Sequence, residues 1–223
     1  IIELGKKLGI ETPHTIELYD NSNIQGAYAV AGMVVYKDGV PSKKDYRKYK
    51  IKTVEGPDDY ASMKEVIYRR YYRLLMEQKE MADLIIVDGG LGQIKVAKEV
   101  IDSLNLPVHI CGLSKDDKHS TAMLLDENGN QVPIDTKSPL FFLLTRMQDE
   151  VHRYAISFHR QVRSKSLFSS ILDEVDGIGE ARKKKLLNHF KSVKKMKEAS
   201  LEELEAVIPK NTALKLYEVL HKD

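Results

Sequence analysis

The chain has a single cysteine, Cys111, in 223 residues. A lone thiol excludes an internal disulfide and argues against a cysteine-based zinc site, so a reducing, cytoplasmic setting is expected. No apolar run approaches the roughly 18 residues a membrane span needs, and no secretory signal opens the chain, so no membrane partner is expected. Ile1 stands where an initiator methionine would, which points to a piece of something longer. A large excess of one charge is also missing: the net charge is +2, with 30% charged and 42% hydrophobic residues. That balance excludes a disordered chain and describes a globular one. The length suits one large domain, or a medium domain with a small one.

The charge that is present is unevenly placed. From Ala181 to Lys197 there are eight Lys/Arg and no acid: Arg182, Lys183, Lys184, Lys185, Lys191, Lys194, Lys195 and Lys197. A second cluster runs through Lys43, Lys44, Arg47, Lys48, Lys50 and Lys52, with Tyr46 and Tyr49 interleaved. Each run is open to two readings, a solvated surface or a grip on a phosphate backbone.

Periodicity predicts strands over 14–24, 28–36 and 45–54, with Lys37-Asp38-Gly39 as a turn, which makes an antiparallel meander. Gly56-Pro57-Asp58-Asp59 breaks the pattern, and Asp58 or Asp59 caps a helix expected over about 60–81. The wholly apolar stretch before Asp88-Gly89-Gly90 reads as a strand buried on both faces, as in a parallel arrangement. A helix over 92–104, a strand over 108–113, a hairpin around 126–130 and a long helix over 139–163 follow. From Ser164 onward the pattern is wholly helical, with Gly177-Ile178-Gly179 as a tight turn between two helices. The expected fold is therefore a mixed α/β sheet flanked by helices over 1–162, followed by a small all-α domain over 163–223.

Asp20 and Asp88 sit at or near predicted strand ends. Carboxylates there must be hydrated, paired or metal-bound, because a lone buried charge is very costly. On neighbouring strands they would converge on a hard cation such as Mg²⁺ or Mn²⁺; taken singly, each reads equally well as a cap or turn former. His152, on the long helix, suits a metal ligand, a proton carrier or a packed surface residue. His159 shares its helix face, Tyr19 reads as packed, Asn21 and Ser22 as shaping the loop beside Asp20, and Lys115 follows a strand within possible reach of a phosphate.

Five blocks resolve these alternatives by resemblance. They are His14-Thr-Ile-Glu-Leu-Tyr-Asp20-Asn-Ser-Asn-Ile-Gln-Gly26; Gly56-Pro-Asp-Asp-Tyr60-Ala-Ser-Met63 with Tyr68-Arg-Arg-Tyr71; Leu84-Ile-Ile-Val-Asp88-Gly-Gly-Leu-Gly-Gln93; Gly112-Leu-Ser-Lys115; and Arg146-Met-Gln-Asp-Glu-Val-His152-Arg-Tyr-Ala-Ile-Ser-Phe-His159. In this order they resemble the endonuclease half of the UvrC family, the nuclease subunit of bacterial nucleotide excision repair. The resemblance implies a ribonuclease-H-like domain whose catalytic and metal-binding residues are Asp20, Asp88 and His152, with Mg²⁺ or Mn²⁺ as cofactor. A histidine in the third place resembles some Argonaute nucleases.

The tail resembles tandem helix-hairpin-helix motifs. Val175-Asp-Gly177-Ile-Gly179-Glu-Ala-Arg182 fits the hairpin consensus, which aims backbone N–H groups at a phosphate. The DNA-binding set is thus Gly177, Gly179, Arg182, Lys183 and Lys184, with Lys115 from the first domain. In the second hairpin, around 207–213, Lys210 is read as replacing the usual glycine. The resemblance further implies the 5′ cut beside a lesion, damaged double-stranded DNA as substrate and a UvrB–DNA complex as partner, its binding region outside this chain. A non-catalytic binding module, or another ribonuclease-H-like nuclease such as a junction resolvase, are the rival readings that the motifs favour less.

Overall fold

The alternation near the start of the chain forms β1 (Thr15–Ser22), and the rest of the sheet is laid out from it. The computed structural model describes residues 1–22, 29–56, 58–116 and 122–222. Residues 23–28, 57, 117–121 and 223 lie outside the described residues, and with them the end of the block closing on Gly26 and the Pro57 of the break before the helix. Two units are defined, Ile1–His159 and Arg160–Asp223.

In the first unit β1 pairs antiparallel with β2 (Val30–Lys37), with Asp20 opposite Gly32. Asp38 and Gly39 take φ of 51° and 79°, the left-handed conformation that a tight hairpin needs, and carry the chain into β3 (Val40–Pro41). A 3-10 turn then leads into β4 (Arg47–Lys50), which returns antiparallel onto β2. The meander is as expected, although its last strand stops at Lys50. β5 (Leu84–Asp88) lies parallel to β1, and β6 (His109–Lys115) parallel to β5. β7 (Ala122–Leu125) and β8 (Gln131–Val132) close the sheet as a hairpin, whose turn is held by the Asp126 carboxylate accepting from the N–H of Asn128 and of Asn130. The strand order is β3-β2-β1-β5-β6-β7-β8, with β4 also on β2. This is the mixed ribonuclease-H-like sheet that the sequence predicts.

Helices cover both faces. A short helix, α1 (Ile2–Leu8), ends on Gly9 at φ 68° and was not expected from the sequence. α2 (Asp59–Met76) is capped by the Asp58 carboxylate, which accepts from the Ala61 N–H. It stops earlier than the periodicity suggests: Gln78 turns left-handed at φ 52°, and the Lys79 N–H closes back on the Leu74 carbonyl. With α3 (Leu91–Ser103) it covers the face bearing Tyr19, Met33, Val35, Ile85 and Val87. The opposite face, with Ile16, Leu18, Val34, Leu84 and Ile86, is covered by α1 and the start of α4 (Pro139–Asp173) through Leu140, Leu144, Met147 and Val151. α4 runs ten residues past its expected end near 163. Ser164, Ser166, Ser169 and Ser170 look like a linker by composition, yet they lie within the helix because Phe168 and Leu172 bury into the second unit's core. Among the described residues no helix is long and apolar enough to cross a membrane.

The second unit contains the end of α4 followed by α5 (Glu180–Phe190), α6 (Val193–Glu198), α7 (Leu201–Glu205) and α8 (Lys210–Leu220) around Leu186, Met196, Leu204, Ala213 and Leu216.

One buried charge belongs to the α2 face. Glu17 is 2% exposed. Its carboxylate accepts from the Tyr19 hydroxyl at 2.8 Å, the Tyr71 hydroxyl at 2.6 Å and the Arg70 guanidinium at 3.0 and 3.2 Å. Glu17→Ala strands a part-buried guanidinium and two buried hydroxyls, and the expected loss is about 3–5 kcal/mol. Glu17→Gln keeps the shape and is expected to lose less. Urea unfolding of both variants checks this ordering, and an alanine variant as stable as wild type contradicts it.

Candidate metal centre and nucleic-acid interface

Parallel register brings the two aspartates together. Tyr19 of β1 pairs with Val87 of β5, so the next residues, Asp20 and Asp88, are neighbours near the carboxyl ends of adjacent strands. Both point to the α4 face, in the period of Leu18 and Ile86. α4 passes close above them because of Gly32: a Cβ there would lie 3.0 Å from Tyr154 Cδ1 and 3.1 Å from the Ala155 backbone. Met147 and Val151 press the helix onto the sheet, and the polar positions beside them face the acids. His152 Nδ1 lies 2.9 Å from Asp20 Oδ2, and Gln148 Nε2 donates to Asp88 Oδ1 at 3.1 Å.

One donor atom from each of Asp20, Asp88 and His152 lies within 4.8 Å of the others. The Asp20 side chain is 10% exposed and that of His152 59%, so the cluster is buried on the sheet side and open on the helix side. Burial first, and then the charge of Asp88, push the Asp20 carboxyl up to about 7. Burial also raises Asp88, against the pull of the Gln148 amide, His152 and Lys115. A buried carboxylate, a part-buried one and an exposed imidazole form a donor set that a divalent cation fits, since its charge offsets the mutual repulsion of the acids.

The sequence reading had no role for Gln148. Its signal was the i, i+4 spacing to His152, which puts both side chains on one helix face. Tyr19 is fully buried and packed, as read, and Asn21 ties β1 to α2 by donating to the Asp59 carbonyl at 3.0 Å. The Ser22 side chain lies outside the described residues. His159 is 1% exposed, and among the described residues neither of its ring nitrogens has a hydrogen-bond partner. Lys115 ends β6, with its charge acting on Asp88.

In the tail, Gly177 takes φ 94° and Gly179 is the N-cap of α5. The other members of the expected DNA-binding set differ in what they touch. Arg182 donates to the Gly177 carbonyl and so braces the hairpin, Lys183 is paired with Asp173 and Glu180, and Lys184 lines a groove with Lys165. The second hairpin corrects the sequence reading. Pro209, not Lys210, occupies the N-cap place that Gly179 has in the first, and Lys210 begins α8. A proline there has no N–H to offer a phosphate.

A ribonuclease-H-like sheet with two acids and a histidine gathered at the ends of adjacent parallel strands defines a nuclease of that fold class. The model of the UvrC RNase H endonuclease domain matches residues 5–156, and that of a SAM-like helix-hairpin-helix tandem matches residues 169–222. The chain belongs to the UvrC RNase H endonuclease family. Among solved structures it is similar to a Ciona intestinalis endonuclease V crystallised with inosine-containing DNA, at 18% identity over 51% of this chain and 54% of that one, with a TM-score of 0.35. Human endonuclease V matches at 16% identity over 60% of this chain and 54% of that one, with a TM-score of 0.32. Kluyveromyces polysporus Argonaute with a guide RNA matches at 14% identity over 60% of this chain and 19% of that one, with a TM-score of 0.31. The chain thus spans about half the length of the endonuclease V structures it matches.

The raised Asp20 sets the direction of a stability test. Its folded-state value, about 7, lies above the ordinary 3.8. The folded protein therefore holds this proton more tightly, and the stability it contributes is present at low pH and lost as pH rises through about 7. In chelator, the wild-type melting temperature is expected to fall between pH 6 and 8 by more than that of Asp20→Asn. Asp88→Asn, which relieves the repulsion, is expected to raise the metal-free melting temperature by about 2–6 °C and to abolish the increment that Mn²⁺ gives the wild type. Thermal melts read both, and an Asp88→Asn protein that keeps the full Mn²⁺ increment takes Asp88 out of the cluster.

Proposed function

We propose that the chain is a divalent-metal-dependent DNA endonuclease, with Asp20, Asp88 and His152 as its catalytic and metal-holding residues, acting at the 5′ incision of bacterial nucleotide excision repair. The observation that carries this reading is the convergence of these three side chains, from segments far apart in sequence, within 4.8 Å. Membership of the UvrC endonuclease family supports the reaction class. Mg²⁺ or Mn²⁺ suits the oxygen-rich donor set, and when bound supplies Lewis-acid polarisation of a phosphodiester and a water of lowered pKa.

The chain's own groups divide the remaining tasks. Asp20 and Asp88 present carboxylate oxygens from a rigid sheet, so their spacing is fixed before substrate arrives. Gln148 restrains the rotamer of Asp88 by donating to Oδ1. His152 holds Asp20 through Nδ1, and its half-exposed ring lies where a proton can pass to solvent or to a leaving oxygen. The first hairpin of the tail would grip duplex backbone without reading sequence, through Gly177, Gly179 and the exposed Lys184. Damaged double-stranded DNA loaded by a UvrB–DNA complex, in the cytoplasm, is the setting this assigns, and weak cutting that ignores damage is expected of the chain alone.

A nicking assay on supercoiled plasmid with Mg²⁺ or Mn²⁺ tests the reading. Asp20→Ala, Asp88→Ala and His152→Ala are each expected to lose at least about a hundredfold. Gln148→Leu, which frees Asp88 without removing a donor, is expected to lose about 10–100-fold. Unchanged cutting by either aspartate variant removes that residue from the site, and cutting that persists in chelator overturns the metal requirement.

A further inference from the structure

The basic cluster 43–52 is divided by β4, because alternate residues of a strand face opposite sides of its sheet. Arg47 and Tyr49 lie opposite Met33 and Ala31 of β2, which belong to the core on the α2 face, on the other side of the sheet from Asp20 and Asp88. There they meet three arginines of α2. Arg47, Arg69, Arg70 and Arg73, with Lys79 from the turn after the helix, line a cleft of about 280 Å³ beside the Tyr49 ring.

Three of these guanidiniums are held in place. The Glu17 carboxylate fixes Arg70 from the core side. Arg69 donates to the Lys50 carbonyl at 2.8 Å and to Glu65 at 3.1 Å, and it lies 5.3 Å from the Tyr49 ring centroid. Arg47 Nη1 donates to the carbonyls of Lys44 and Tyr46 at 3.0 and 2.8 Å. Side chains ordered in advance lose little freedom when a ligand arrives. Their charge is less well balanced than their positions. Glu17 answers Arg70 and Glu65 answers Arg69, but Glu77 is shared by Arg73 and Lys79, at 2.8 Å from each. The nearby Asp45 is paired with Lys37. Carbonyls hold Arg47 without neutralising it, and among the described residues no carboxylate pairs with it. The excess of positive charge is felt at Glu77, whose carboxyl Lys79 and Arg73 pull down to about 2.

We infer that this cleft is a phosphate-binding site, with Arg47 as its anchor and Glu77 as the one acid of its lining that opposes the ligand. Guanidiniums from two walls, β4 and α2, suit a tetrahedral oxyanion, which accepts fork contacts from several directions, better than a planar carboxylate. Two sources carry such a group, a nucleic-acid backbone and a free phosphate or polyphosphate, and the cleft recognises the chemistry they share. It lies on the face of the sheet away from the metal cluster, so the inference does not depend on the nuclease reading.

The experiment titrates inorganic pyrophosphate into the metal-depleted chain at low salt, by calorimetry, for wild type, Arg47→Ala, Arg47→Lys, Glu77→Gln and, as a control on α1, Lys6→Ala. Arg47→Ala is expected to weaken binding about 3–10-fold and Glu77→Gln to tighten it about 3–10-fold, since each removes one charge of opposite sign. Arg47→Lys, which keeps the charge and loses the fork, is expected to recover part of the loss. A structural role alone predicts the reverse for Glu77→Gln, because losing its two pairs loosens the end of α2. Loss of fold cannot produce the tightening, and thermal melts show that each variant is folded. The same proteins are then titrated with a short DNA duplex over a range of salt. A slope of log affinity against log salt that is flatter by about 0.9 in Arg47→Ala assigns the phosphate to a nucleic-acid backbone. An unchanged slope beside an Arg47-dependent pyrophosphate affinity assigns it to a free phosphate. Pyrophosphate and duplex affinities equal in wild type, Arg47→Ala and Glu77→Gln overturn the site.

Discussion

Parallel pairing of β1 with β5 is the constraint on which the rest depends. Pairing Tyr19 with Val87 makes Asp20 and Asp88 neighbours, and the period of two sends both to the same face. A slip of one residue would turn one of them toward α2 and separate the pair. The register is held by the apolar residues before each acid: Ile16 and Leu18 on one strand and Leu84 and Ile86 on the other fill the α4-side core, while Tyr19, Ile85 and Val87 fill the α2 side. Hydrophobic burial on two faces thus sets the distance between two like charges, which alone would move apart.

α4 completes what the register begins. It buries Leu144, Met147 and Val151 against the sheet, and its rotation about its own axis is then fixed. Gln148 and His152 follow as the polar positions flanking that apolar stripe, one for each aspartate. Close approach is needed for bonds of about 3 Å, and Gly32 provides it where any Cβ would meet Tyr154 and Ala155. Tertiary contacts, more than helical propensity, therefore determine where the imidazole sits.

Most of this organisation could be read from the chain, for identifiable reasons. The apolar run ending in Asp88-Gly89-Gly90 signalled a buried parallel strand, and Lys37-Asp38-Gly39 a hairpin, because both patterns are local. What escaped was non-local. The i, i+4 spacing to His152 puts Gln148 on the right helix face, but its partner Asp88 is sixty residues away and nothing local points to it. The serines after Gln161 look like a linker until Phe168 and Leu172 find a core to bury in. The stop of α2 before 81 depends on one backbone closure, from Lys79 to Leu74, that periodicity cannot register. A hairpin consensus is aligned by its glycines, and the second hairpin has none, so sequence alone does not single out Pro209 over Lys210.

The contrast between Glu17 and Asp20 bears on why the second is the one we propose as functional. Both are buried acids on β1, three residues apart and on opposite faces of the sheet. Glu17 receives two tyrosine hydroxyls and a two-point guanidinium contact, so its charge is balanced within the fold. Asp20 has one imidazole and the Asn21 N–H, and it faces a second acid. A fold that needed only stability at this position would be better served by a partner like Arg70, because an under-balanced buried carboxylate costs folding free energy. The same strand supplies a fully satisfied acid on one face and an under-satisfied pair on the other. The deficit of positive charge is therefore local to the α4 face, where the cluster opens to solvent, and it is there that an external cation gains most by binding.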